Sequence, residues 1–498
     1  MPLNQNVEKF INQTRPLLIG DRWLETDEVI DVINPSDGEK IAEVYSAGHK
    51  EVDAAVAAAR QAFESPAWKR MPPAERTALL YRLADLLEQN GEELLEMEIL
   101  NEGMPISIAK HFIISGCAET IRYYAGWATK ISGSTVNLSL PDERGSDAFG
   151  PAYHAFSVKE PIGVVAAITP WNMPLIIAIA KLAPALAAGC TLVVKPADLT
   201  PLTTLRLGEL ILEAGFPAGV VNIIPGYGLV AGQALADHMD VDKIAFTGST
   251  ATGKSIVSAA ATSNLKKVAL ELGGKSPVLV FPDADLDQAA QTCAEGIFLN
   301  SGQMCFAGSR LIVHESIEDE IVGRIVEGAQ SMKIGPGLDE SSDLGPMISR
   351  LQKSRVEGFF KKEMLQNADV IIGGNPLNRD GFYFEPTLVK CDDPNSPLVK
   401  QEIFGPVLTI QTFKNVEEAC ALANDTDFGL CAGVWTQSNA LAHQVSAEIK
   451  SGVIWSNCYI ALDESLPFGG YKQSGWGREG SIDGVEAFLQ TKSVVMGL

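Results

Sequence analysis

Residues 243–255 read KIAFTGSTATGKS: a short apolar run, a Gly-Ser-Thr turn, then the small residues of a helix start. The same unit recurs on both sides. The runs GVVAAIT (163–169), TLVVK (191–195), VVNIIP (220–225) and SPVLVF (276–281) alternate with the helical stretches TTLRLGELILEAG (203–215) and TGKSIVSAAAT (252–262). Continuous apolar strands separated by helices predict a parallel sheet covered on both faces.

Outward from that stretch the texture changes twice. Toward the N-terminus, residues 1–50 read as strands and turns, with INPSDGEKIAEVYSA at 33–47. Residues 52–89 read helical with a break at Met71-Pro72-Pro73, and helical patterning continues to about Ile131. Residues 132–158 lose periodicity and gain Gly, Ser and Pro, as a protruding hairpin or linker does. Toward the C-terminus the alternation resumes with RLIVHE (310–315), a helix to about Ser331, ADVIIGG (368–374) and apolar runs near 407–411. Two α/β units in one chain of 498 residues is the simplest reading.

Composition narrows the function. The chain is 46% hydrophobic and 20% charged, which allows a large core and excludes general disorder. A net charge of −23 argues against nucleic acid and anionic membranes as main partners. Eight scattered Cys form no CxxC pair and six His form no HExxH, so neither a disulfide scaffold nor a metal site is expected. The N-terminal MPLNQNVEKFINQ lacks a basic patch followed by an apolar segment, which makes the cytoplasm the default location. Met173–Val194 is long enough to span a bilayer, but Lys181 sits at its centre. Pro174, Pro184 and Gly189 divide it into a short helix and a strand, as in a buried αβ unit.

Two motifs compete for the chemistry. Gly248–Ser255 fits the phosphate-loop pattern GxxxxGK[ST] after a strand and before a helix, with Pro282-Asp283 as a rough Walker B candidate; by itself it favours an NTPase. The other is ELGGKSP (271–277), followed 34 residues after Glu271 by Cys305 in the Gly- and Ser-rich turn FLNSGQMCFAGSR. A cysteine in such a turn can be reached, as a nucleophile must be, although any single cysteine is more often a small buried hydrophobe.

The second motif set resembles the NAD(P)-dependent aldehyde dehydrogenase superfamily. Alongside ELGGKSP and GQMC (302–305) stand TPWNMP (169–174), VVKPAD (193–198), PGYG (225–228), FTGSTATG (246–253), EIFGPV (402–407) and PFGGYKQSGWGREG (467–480), in family order from about residue 18 to the C-terminus. The phosphate-loop match then becomes the family's cofactor turn, with Lys254 and Ser255 as incidental helix residues.

The resemblance implies a residue-by-residue site. Cys305 resembles the nucleophile that forms a thiohemiacetal and then a thioester. Asn172, with the Cys305 backbone N–H, resembles the oxyanion hole. Glu271 resembles the base that activates the hydrolytic water, and Lys181 and Glu479 match orienting and proton-relay positions. Cofactor positions are Ile168, Trp171, Lys195, Asp198, Gly228, Thr247, Gly248, Ser249, Gly253, Leu272, Gln352, Glu402 and Phe404. Most members carry Glu or Ser where Asp198 stands. A carboxylate there favours NAD over NADP, with NADP a weaker alternative. Tunnel positions are Met173, Ile176, Ala180, Leu299, Met304, Ile460, Leu462 and Phe468. All are uncharged, with a small Ala180, which suits a hydrophobic or arylalkyl aldehyde such as phenylacetaldehyde.

By the same resemblance, residues 1–137 and 159–272 are expected to form a Rossmann-like NAD-binding domain. Residues 273–483 form a catalytic α/β domain, and 138–158 with 484–498 a small β oligomerisation element of a homotetramer or homodimer. The terminal AFLQTKSVVMGL (487–498) is β-rich and would leave an exposed edge in a monomer. Two other readings stay open at this point: a broad-specificity aliphatic aldehyde dehydrogenase, and a non-catalytic binding or scaffold protein on the same fold.

Overall fold

A computed structural model describes residues 3–144 and 150–498 of the chain. Two large sheets organise it. The first has eight strands in the order Arg22–Leu24, Leu17–Ile19, Val221–Ile223, Thr191–Lys195, Val164–Ile168, Lys243–Thr247, Lys267–Glu271 and Gly475–Trp476. Its five central strands are parallel. Val164–Ile168, Thr191–Lys195 and Lys243–Thr247 are buried at every position, as strands covered on both faces must be. The second sheet has seven strands, with Val407–Phe413, Arg310–His314 and Pro277–Val280 at its centre. All its pairs are parallel except that of the edge strand Asp369–Ile372.

The chain passes from the first sheet to the second over Leu272–Ser276, directly after Glu271. It returns once: Gly475–Trp476 pairs antiparallel with Leu270–Glu271, so a segment from late in the chain closes the edge of the first sheet beside that glutamate.

Two local expectations differ from what forms, while the hairpin expected within 132–158 is present as an antiparallel pair. The chain begins not with a strand but with the helix Gln5–Ile11, capped by the Asn4 side chain. Pro184 does not divide the apolar segment after Met173; the helix runs unbroken from Pro174 to Ala188 and ends at Gly189 in the left-handed conformation. Proline removes one helical N–H, leaving the Ala180 carbonyl without its usual donor, but twelve of the helix's side chains are buried and packing outweighs that loss. In the 132–158 stretch, Thr135–Val136 and Tyr153–Pro161 are strands, and the terminal Leu489–Gly497 pairs with the latter along its whole length. Residues 145–149 of that stretch lie outside the described residues.

Candidate active site

In the first sheet the strand order reverses between Val164–Ile168 and Lys243–Thr247, the point at which open α/β sheets leave a crevice beyond their carboxyl ends. A cavity of about 680 Å³ opens there. Its wall takes Pro170, Trp171 and Asn172 from the end of the first strand, Thr247, Gly248 and Ser249 from the second, and Glu271, Leu272 and Gly273 from the crossing segment. Cys305, Gln352, Glu402 and Phe404 come from the second half of the chain. The site is thus a cleft between the two sheets.

Cys305 reaches the cleft on a strained turn. Asn300, Ser301 and Gly302 all have positive φ (48°, 54° and 71°), and Ser301 Oγ donates to the Gly345 carbonyl at 2.7 Å. Gly274 is required beside it, since a Cβ there would fall 2.4 Å from the Cys305 carbonyl oxygen. Burial pushes the Cys305 thiol up to about 12, and the carboxylates Glu271 and Glu402 add to that. Asn172 Nδ2 donates to the Gln303 carbonyl at 2.8 Å, which uses one of its two protons and leaves the other for an incoming oxygen.

Glu271 ends its strand with a buried carboxylate whose Oε2 has no hydrogen-bond partner. Burial, then the charge of Glu479, raises its proton affinity well above the ordinary carboxylate range. The Glu479 carboxylate accepts from Lys181 Nζ at 2.6 Å; Lys181 is 1% exposed and Glu479 27%.

The cofactor positions separate into two groups. Trp171, Thr247, Gly248, Ser249, Leu272, Gln352, Glu402 and Phe404 line the cavity. The Trp171 and Phe404 rings meet edge to face at 5.2 Å, and Gln352 Nε2 holds the Phe404 carbonyl at 2.9 Å, where Phe404 has φ 54°. Glu402 accepts from the Gly274 N–H at 2.8 Å, and burial pushes its carboxyl up to about 7.

Ile168, Lys195, Asp198, Gly228 and Gly253 lie outside that wall. Lys195 Nζ is buried and donates to the Pro196 and Gly226 carbonyls at 2.7 and 3.0 Å. Asp198 is half-buried close to it. Gly228 faces open space at the start of a one-turn π-helix. Ile168 is buried at its strand's end, and Gly253 seats its helix on Leu272, where a Cβ would come within 2.8 Å of a leucine methyl.

The GxxxxGKS segment does not form a phosphate loop. The helix Thr250–Thr262 begins before Gly253, its N-cap Ser249 accepts from the Thr252 N–H, and Lys254 Nζ turns outward to Gln473 at 2.8 Å.

Six of the eight tunnel positions share one apolar cluster with Cys305: Met173, Ile176, Leu299, Met304, Ile460 and Phe468. Leu462 does not join it and is 51% exposed, on the loop that precedes Phe468. Ala180 is half-buried one turn beyond Ile176. Sequence reasoning missed Ile177, which lines the cavity itself, and Phe112 and Tyr459, which pack in the same cluster. Positions 173, 176, 177 and 180 follow helical spacing, so the period alone pointed to Ile177. Arg355, Phe359 and Met364 also line the cavity, and nothing in their local sequence marks them.

Residues 23–494 match the profile of the aldehyde dehydrogenase family. The chain is 45% identical to retinal dehydrogenase 2 of Mus musculus, over 96% of this chain and 91% of that protein. It is 43% identical to a phenylacetaldehyde dehydrogenase of Pseudomonas fluorescens, over 96% and 95%. Among solved structures, the NAD+ complex of an aldehyde dehydrogenase from Bacillus cereus superposes with a TM-score of 0.96 at 41% identity, covering 100% of this chain and 99% of that one.

Proposed function

The chain belongs to the aldehyde dehydrogenase family and oxidises aldehydes with NAD, and from that premise we propose that Cys305 is the nucleophile and that the substrate is a hydrophobic or arylalkyl aldehyde. The observation that carries the reading is the meeting of Cys305, Asn172 and Glu271 at one cleft whose far wall is apolar.

The cleft fits a dinucleotide on its own features. Thr247 Oγ1 is buried on the wall without a partner, and Gly228 leaves backbone open where a side chain would otherwise stand. Ser249 starts a thirteen-residue helix whose first N–H groups suit a pyrophosphate. NAD, when bound, supplies the hydride acceptor. Glu402, Gln352, Trp171 and Phe404 would hold its nicotinamide end, and Lys195 and Asp198 its adenosine end.

The chain's own residues do the rest. The C–S bond to the aldehyde carbon forms as the Cys305 S–H bond breaks, its proton passing to solvent in the open cleft, and the free Asn172 amide proton with the Cys305 N–H takes the charge that develops on oxygen. After oxidation the acyl group remains on Cys305 as a thioester. Glu271, kept basic by burial, removes a proton from water, which hydrolyses that thioester. The Lys181–Glu479 pair, its lysine buried and its carboxylate part-exposed, would carry that proton outward.

On the substrate, the relative named for phenylacetaldehyde supports the aryl reading, as does the uncharged cluster around Cys305. The eight tunnel positions carry no cation for a terminal carboxylate, and the cations of the cavity wall, Arg355 and Lys361, are not among them. The exposed edge strand Leu489–Gly497 supports a homodimer or homotetramer, and no helix among the described residues is long and apolar enough to cross a membrane; we read the protein as cytoplasmic. A panel of aldehydes followed by NADH absorbance tests the substrate. Preference for arylalkyl over charged aldehydes supports the reading, and equal use of simple aliphatic aldehydes replaces it with a broad-specificity enzyme.

A further inference from the structure

Of the five carboxylates on the helix Gly91–Glu102, two, Glu98 and Glu102, lie one turn apart and are each 1% exposed. Their partners are neutral groups beside the catalytic turn. Glu98 accepts from the N–H of Leu175, at the start of the helix that follows Asn172, at 3.0 Å, and from the Thr203 hydroxyl. Glu102 accepts from the Met104 N–H at 3.0 Å and from Asn300 Nδ2 at 2.5 Å. The second proton of that Asn300 amide goes to the Asn172 backbone carbonyl at 2.9 Å, so both protons are committed.

Asn172 is therefore clamped twice by the same turn. Its carbonyl is held by the Asn300 side chain, and its side-chain amide by the carbonyl of Gln303, which is fully buried. Asn300 sits at φ 48° and Ser301 at φ 54°, conformations that persist only where the surroundings fix them. Ser301 is fixed by Gly345. Asn300 is fixed by Glu102, whose neighbour Gly103 (φ 96°) packs so closely beneath the 345–346 segment that a Cβ at Gly345 would fall 2.2 Å from its carbonyl oxygen.

We infer that Glu102 is a positioning residue for catalysis: through the Asn300 amide it holds Asn172 and the Asn300–Gly302 turn in the geometry that aims the Asn172 proton at the oxygen of a Cys305 adduct. The inference rests on the oxyanion role proposed for Asn172. Glu102 touches neither substrate nor cofactor on this reading. Its part is to present an acceptor oxygen to the Asn300 amide, which the carboxyl does in either protonation state.

A double-mutant cycle on the full chain tests it, reading the rate of the first turnover of NADH, NAD affinity and thermal midpoint for Glu102→Ala, Asn172→Ala and the combination. Loss of an oxyanion donor costs about 10²–10³ in rate, and Asn172→Ala should fall in that range. Glu102→Ala should slow the first turnover at least about tenfold with NAD affinity within about twofold, and should add nothing further in the Asn172→Ala background. Glu102→Gln, which keeps an acceptor for Asn300, should recover most of the lost rate. Losses that multiply in the combined variant, or a Glu102→Ala enzyme as fast as its parent, overturn the role of Glu102. An Asn172→Ala enzyme at full speed overturns the oxyanion reading instead. Should Glu102→Ala not fold, Asn300→Ala removes the same bond from its other end and enters the same cycle.

Discussion

Glu271 and Gly475 face each other across the antiparallel pair that closes the first sheet, so the proposed base is anchored by a strand more than two hundred residues away in sequence. That pairing holds the carboxylate in a dry position, and burial with the nearby Glu479 charge raises its proton affinity. The base works only when ionised. kcat should therefore climb with pH through the raised Glu271 titration and flatten above it. Glu271→Gln should lose that limb, release one burst of NADH per site and stall at the thioester. Stopped-flow absorbance across pH 6–10 checks both; slow chemistry without a burst places Glu271 before hydride transfer.

The same burial has a stability consequence. A carboxyl raised in the folded state stabilises the fold below its unfolded pKa, and that contribution is lost as pH rises through the folded value. Glu271→Gln removes the loss. Its thermal midpoint should exceed that of the parent by a margin that grows as pH rises above the ordinary carboxylate range. A margin independent of pH would show that Glu271 is not held in the protonated form.

Cofactor choice should follow Asp198. A carboxylate there repels a 2′-phosphate. Lys195 is unable to offset this freely, because turning its Nζ outward breaks bonds to two carbonyls, and burial lowers its pKa to about 8. NAD should be preferred in kcat/KM, and Asp198→Ser should raise the use of NADP. Equal use of both cofactors by the parent enzyme would remove Asp198 as the discriminator.

Substrate choice should follow the small residue at position 180. Phenylacetaldehyde should exceed succinic semialdehyde and betaine aldehyde in kcat/KM by at least about tenfold, about 1.4 kcal/mol. Ala180→Trp should penalise the aryl substrate and leave acetaldehyde nearly unchanged. A semialdehyde that wins, or equal slowing of aryl and acetaldehyde oxidation, moves the tunnel elsewhere.

The parallel sheets were legible because buried strands are apolar without interruption: TLVVK and KIAFT carry their own burial. The cleft was legible through the turns at strand ends. The Walker-like spelling at Gly248–Ser255 misleads when read alone, since three of its letters belong to a helix already begun. Pro184 misleads for the opposite reason: a local rule yields to the packing of a helix buried on nearly all sides. Phe112, Tyr459 and Arg355 reach the site only through tertiary folding, and no local period marks them. Glu98 and Glu102 did leave a trace, two acids one turn apart in LLEMEILNEG (94–103), but surface helices show the same spacing; only burial separates the two cases.

A covalent acyl group at Cys305 is the intermediate on which the proposed mechanism rests. Intact-protein mass spectrometry after a single turnover of Glu271→Gln with NAD and phenylacetaldehyde reads it directly. The predicted result is a gain of one acyl group per chain, localised to the peptide that contains Cys305 and absent when Cys305→Ala is added. An unmodified protein after NADH has formed, or an adduct that survives Cys305→Ala, would contradict the mechanism.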